Sequence, residues 1–102
     1  MDERLPNLLL KTLGQRIKKL RKDQGYSQEA FADKCGVHRT FMGTVERGES
    51  NLSFKNIHKV TTTLGISLST LFQDIEPRDQ IQPGDTATLK PKIRNTEQKS
   101  AL

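Results

Sequence analysis

Of the 102 residues one is cysteine, none is tryptophan and only 5% are aromatic. The lone thiol, Cys35, cannot close an internal disulfide, and with only His38 and His58 beside it there is no set of soft ligands for a structural metal. The chain is therefore expected to hold together by packing, with no cofactor and no metal. Hydrophobic residues are sparse at 32%, and no stretch approaches the roughly 20 apolar residues that cross a bilayer, so no membrane association is expected. The N-terminus, Met1-Asp2-Glu3-Arg4-Leu5-Pro6-Asn7, lacks the basic start and apolar run of a secretory signal, which points to the cytoplasm. Chemistry-bearing arrangements are missing too. Without a glycine-rich phosphate loop, paired carboxylates in an apolar setting or a nucleophile beside a base, no catalytic residue is assigned and an enzyme is not expected.

What the chain does have is positive charge, unevenly placed. The net charge is +5; residues 8–72 carry 11 Lys/Arg and 5 Asp/Glu, whereas residues 73–102 carry five of each. The basic part is also the part with helical periodicity, so the fold class expected is all-α, a five-helix domain over residues 8–75. Residues 76–102 hold three of the four prolines and few large apolar side chains, too little to offset the entropy of ordering, and read as a flexible or weakly ordered tail. A short strand or hairpin around Pro83-Gly84-Asp85 competes with that reading, because Thr86-Ala87-Thr88-Leu89 alternates after a turn signal.

Within the basic part, Leu9, Leu13, Ile17 and Leu20 recur on one helical face up to Gly25, predicting a first helix over about residues 7–24. Ser27 stands before Gln28-Glu29-Ala30-Phe31-Ala32, where its hydroxyl can cap a second helix of about residues 28–35, with Gly36 as its stop. Met42 and Val45 continue at helical spacing to Gly48, predicting a third helix of about residues 38–47. Ser53 caps a fourth, whose buried stripe is read as Phe54, Ile57, Val60, Thr61 and Leu64 before Gly65. Ser67 caps a last short one carrying Leu68, Leu71, Phe72 and Ile75.

Two short helices joined by a tight glycine turn form the pattern of a helix-turn-helix, whose second helix enters the major groove of DNA. Here the pair runs from Ser27 to Cys35 and from His38 to Arg47. The ordered set Leu13-Gly14-Gln15-Arg16-Ile17, Ser27-Gln28-Glu29-Ala30-Phe31-Ala32, Gly36-Val37, Val45-Glu46-Arg47-Gly48 and Leu64-Gly65-Ile66-Ser67-Leu68 resembles the lambda-repressor-like, Cro/CI-type (XRE) family of bacterial DNA-binding regulators. Arg39-Thr40-Phe41-Met42 and Glu46-Arg47-Gly48 followed by Asn51-Leu52-Ser53 look most like the controller proteins of restriction-modification systems.

On the third helix, Met42 and Val45 turn inward with Val37, leaving Arg39, Thr40, Gly43, Thr44 and Arg47 outward. Arg39, Thr40 and Thr44 are the candidate base contacts, since an arginine fork matches guanine O6 and N7. Phe41 falls on the border, able to meet a thymine methyl or to seal the core. Gly43 is unusual inside a helix and would be explained by close approach of the DNA backbone, or by mere tolerance. The resemblance implies that Gln28, Asn51, Ser53 and Lys55 contact phosphates, and Arg47, near the end of the third helix, and His38 are further candidates; His38 could instead simply cap the helix. The resemblance implies that Glu46 forms a structural pair with Arg21. Arg16, Lys18, Lys19 and Lys22 read mainly as a solvated face, Cys35 as a small buried residue and His58 as an exposed one.

The resemblance further implies a homodimer on double-stranded DNA, acting on an approximately palindromic operator, and the apolar end of the domain, Leu68, Leu71, Phe72 and Ile75, reads as its seam. The alternative is an antitoxin-like protein of the same fold whose main partner is another protein, held through the C-terminal tail.

Overall fold

Three of the five helices begin at a capping serine. In the computed structural model, which describes residues 3–76, the order is α1 (Arg4–Asp23), α2 (Gln28–Cys35), α3 (Arg39–Glu46), α4 (Phe54–Leu64) and α5 (Leu68–Phe72). The hydroxyls of Ser27, Ser53 and Ser67 accept from the amides of Ala30, Asn56 and Thr70 at 3.0, 3.1 and 3.0 Å. Each such cap contributes about 1 kcal/mol by satisfying an amide that has no partner inside the helix. At the other end, Gly36 and Gly65 close α2 and α4 in the left-handed conformation, at φ 76° and 72°. Helix α1 begins three residues earlier than the periodicity indicated, because Pro6 falls in its first turn, where the missing N–H has no helical partner to lose. No strand occurs among the described residues; the hairpin reading around Pro83 and the tail reading for residues 77–102 lie outside them.

The five helices enclose one core built on Ile17, Phe31, Met42, Val45, Val60 and Leu71. Two sequence readings fail here. Phe54, expected in the buried stripe of α4, is 67% exposed; it is the first residue of α4, one turn before Ile57, where the helix first meets the core. Leu71, expected on a subunit seam, is fully buried and anchors α5 in the protomer's own core. A five-residue helix has few other apolar side chains to hold it, and Arg16 secures it further by donating from Nη1 to the carbonyls of Leu71 and Gln73 at 2.8 and 2.6 Å. That commitment takes Arg16 out of the solvated face of α1. Gln24 does the same for α4, donating to the Leu64 carbonyl at 2.8 Å.

Helix α1 crosses α3 almost backbone to backbone. A Cβ added at Gly14 would lie 2.7 Å from the Glu46 carbonyl oxygen and closer still to that of Val45. The crossing therefore requires glycine at this position, and it places the end of α3 directly against α1.

Candidate nucleic-acid interface

The close crossing brings Arg21 of α1 to Glu46, the last residue of α3. Arg21 donates through Nε to Glu46 Oε2 at 2.7 Å and through Nη2 to Oε1 at 2.9 Å, with side-chain exposures of 6% and 3%. Each partner is engaged further: Arg21 Nη1 donates to the Tyr26 carbonyl at 2.8 Å, and Gln28 Nε2 donates to Glu46 Oε1 at 3.0 Å. A two-point fork backed by further hydrogen bonds to both partners is what allows two opposite charges to be buried. It ties α1, the turn before α2, α2 itself and α3 into one rigid unit, and it removes the negative charge of Glu46 from the surface.

The start of α3 is set by His38, whose Nδ1 accepts from the Thr40 amide at 3.0 Å. With Nδ1 as acceptor, the neutral ring carries its proton on Nε2, a donor on the exposed side of the cap. Gln28, Glu29, Arg39, Thr40, Gly43 and Arg47 surround an open surface depression of about 430 Å³ between α2 and α3. Four of the candidate DNA contacts, Gln28, Arg39, Thr40 and Arg47, are thus gathered in one place. Gly43, expected outward, is buried; an added Cβ would lie 3.2 Å from Arg47 Nη1 and 3.4 Å from Gln28 Oε1. The protein's own side chains fill the space that was assigned to an approaching DNA backbone.

The two arginines of this cleft each meet a carboxylate. Arg39 Nη1 lies 3.1 Å from Glu29 Oε1, and Arg47 Nε lies 3.1 Å from Glu49 Oε1. Neither acidic partner emerges from the sequence reading; the available signal for Glu29 was its place next to Gln28 in the first turn of α2. Thr44 departs from the outward set, since its hydroxyl donates to the Phe41 carbonyl at 2.7 Å and contacts the Ser50 hydroxyl, bracing the α3–α4 loop. Phe41 is half-buried and packs on the core.

Ser53 and Lys55 are exposed at the start of α4, where the Ser53 hydroxyl accepts as the cap, keeping its own proton to donate, and Lys55 shares a shallow depression with Phe54, His58 and Lys59. Asn51 is not brought to the α2–α3 cleft; it lines an apolar groove of about 440 Å³ with Leu9, Leu10, Leu13, Phe72 and Ile75. Burial pushes the Cys35 thiol above its ordinary pKa, opposed by a hydrogen bond from Thr63 and the charge of Lys59. Among the described residues no His/Cys/Asp/Glu cluster could hold a metal, and no helix is long and apolar enough to cross a membrane.

Comparison with known proteins meets the same segment. Residues 17–71 match the family model for helix-turn-helix proteins, HTH_3. The control protein C.MunI of a Mycoplasma species is 45% identical over 64 residues, which cover 62% of this chain and 86% of that protein. The HTH-type transcriptional regulator SinR of Bacillus subtilis (strain 168) is 38% identical over 63 residues, 61% of this chain but only 57% of SinR. Among solved structures, the restriction-modification controller protein C.Esp1396I is similar with a TM-score of 0.60 and 31% identity, covering 66% of this chain and 87% of that one. The structure of C.Esp1396I bound to a 25 base pair operator site is similar with the same TM-score of 0.60 and 31% identity, covering 88% of that chain.

Proposed function

The chain belongs to the helix-turn-helix family, and from that premise we propose that it is a sequence-specific transcriptional regulator of the restriction-modification controller kind. It binds an approximately palindromic operator in double-stranded DNA as a homodimer, in the cytoplasm. The observation that carries this reading is the α2–α3 cleft: Arg39 and Thr40 stand exposed at the start of a helix whose opposite end is pinned by the buried Arg21–Glu46 fork. A rigidly held helix with an exposed N-terminal turn is what reading base edges requires.

Arg39 takes guanine O6 and N7, and Thr40 offers a hydroxyl or methyl to the neighbouring base. Gln28, His38 Nε2, Arg47, Ser53 and Lys55 face phosphates, while Thr44, with its proton engaged on Phe41, contributes to the loop more than to readout. The subunit seam falls on Leu68, Phe72 and Ile75; Leu71 is withdrawn from it because it is buried within the protomer. Relatives support the regulator reading by name, and C.Esp1396I supports it through its operator complex.

The test is selection of bound duplexes from a random pool, followed by titration of the selected site. Affinity is expected to fall by about 10³ to 10⁵ between about 50 and 200 mM salt, as phosphate-bound counterions are released. The selected site is expected to carry two half-sites about one helical turn apart. Equal affinity for an isolated half-site rules out the dimer, and salt-independent binding rules out the interface.

A further inference from the structure

We propose that Glu29 is a positioning residue for specificity: its carboxylate holds the Arg39 guanidinium for a base edge and keeps it from settling on a phosphate. The inference rests on the operator-binding reading and deepens it. Glu29 occupies the first turn of α2 beside Gln28, in the cleft that faces DNA, and its Oε1 lies 3.1 Å from Arg39 Nη1 across the α2–α3 gap. Both side chains are about two-thirds exposed, at 66% and 65%. A pair so open to water contributes little to folding, and a carboxylate facing a polyanion weakens every complex it enters. Neither stability nor raw affinity accounts for it.

Orientation does. Contact at Nη1 leaves Nε and Nη2 of Arg39 to present a two-donor edge, the shape that matches guanine. Charge acts in the same direction. A phosphate oxygen seeking Arg39 has to approach Glu29 as well, and two anions around one guanidinium repel; a guanine edge carries no net charge and meets no such repulsion. Glu29 thus lowers the affinity of the protein for arbitrary DNA more than its affinity for the site with guanine in register, which is how a repulsive element produces discrimination.

The experiment uses the full chain, as the unmodified protein, Glu29→Gln, Arg39→Ala and the double variant. Each is titrated at fixed salt against the selected operator and a scrambled duplex of equal length, with its melting temperature recorded. Glu29→Gln is expected to leave the melting temperature unchanged, to raise affinity for scrambled DNA about three- to fivefold, the size of one exposed charge contact, and to lower the operator-to-scrambled ratio by a similar factor. In the Arg39→Ala background the same substitution is expected to leave the ratio where it was. An unchanged ratio in the presence of Arg39 overturns the proposal. So does an equal fall in its absence, which means that Glu29 touches DNA directly. If the unmodified protein shows no preference for any duplex, the operator reading itself falls and takes this inference with it.

Discussion

Helix α3 carries an arginine–glutamate pair at each end. At its last residue, Glu46 accepts two bonds from Arg21 at 2.7 and 2.9 Å, both side chains almost wholly buried. At its first residue, Arg39 meets Glu29 at 3.1 Å with both side chains in water. The residue types are the same and the consequences are opposite. Burial makes the first pair obligatory, because either charge alone would be stranded in a medium of low dielectric. Exposure makes the second exchangeable, because water and salt replace a lost partner at little cost. One helix is thereby fixed to the fold at its C-terminal end and left free to change partners at the end proposed to meet DNA.

The largest effect that separates the two ends comes from Glu46→Ala. It strands the Arg21 guanidinium and frees Gln28 Nε2, and is expected to cost about 3 to 5 kcal/mol of unfolding free energy, read as a lower urea midpoint. A loss under about 1 kcal/mol would mean that burial does not distinguish the pairs. Gly14→Ala attacks the same end through packing. Its Cβ would press on backbone oxygens, which cannot rotate away as a side chain does, so α1 and α3 must separate at a cost of about 1 to 3 kcal/mol or more. Gln15→Ala, one position along on the exposed face, is the control and is expected to change stability by less than about 0.5 kcal/mol. If the two alanine variants melt alike, the close crossing does not hold α3.

The buried end was the more legible of the two. Capping serines, glycine stops and apolar spacing defined α2 to the residue, because those signals are local and each has a physical cause within one helical turn. The Arg21–Glu46 pair came from family resemblance, and its geometry explains why an acidic residue stands there. Periodicity gives the face of a helix but says nothing of how far the neighbouring layer extends, so Phe54 was placed in the core although its turn projects past it, and Leu71 on a seam although it closes the core. The exposed partners were harder still. Whether Arg39 meets Glu29 depends on how α2 crosses α3, and the same holds for Gly43, whose empty side is filled by Gln28 and Arg47. The place of Asn51 depends on the chain path in the same way: the loop after α3 returns toward α1, where Asn51 shares the groove with Leu9 and Leu10.

At the exposed end the next largest effect is on specificity. Arg39→Ala is expected to leave the urea midpoint unchanged and to flatten preference at one base pair in each half-site by about 1 to 3 kcal/mol. Arg47, at the far end of α3, is expected on replacement by alanine to weaken every duplex alike, because a phosphate contact carries no sequence information. The measurement is a panel of single-base operator changes at fixed salt. A uniform loss for Arg39→Ala moves base readout to Thr40.

The smallest effect tests whether two exposed pairs on one surface are equivalent. Arg47 Nε and Glu49 Oε1 are 3.1 Å apart, with exposures of 58% and 57%, so Glu49→Gln removes an ion pair as open to water as the one at Arg39. Its effect on stability is expected to stay within about 0.5 kcal/mol. Its effect on binding differs in kind from that of Glu29→Gln. Freeing Arg47 strengthens attachment to the backbone of any duplex, so operator and scrambled affinities rise together, by less than about fivefold, and their ratio stays constant. Titration of both duplexes by Glu29→Gln and Glu49→Gln proteins, side by side at one salt concentration, separates a pair that aims an arginine at a base from one that only screens it. A fall in the ratio for Glu49→Gln as large as that for Glu29→Gln would make loss of negative charge alone sufficient, and the position of the carboxylate across the α2–α3 gap irrelevant.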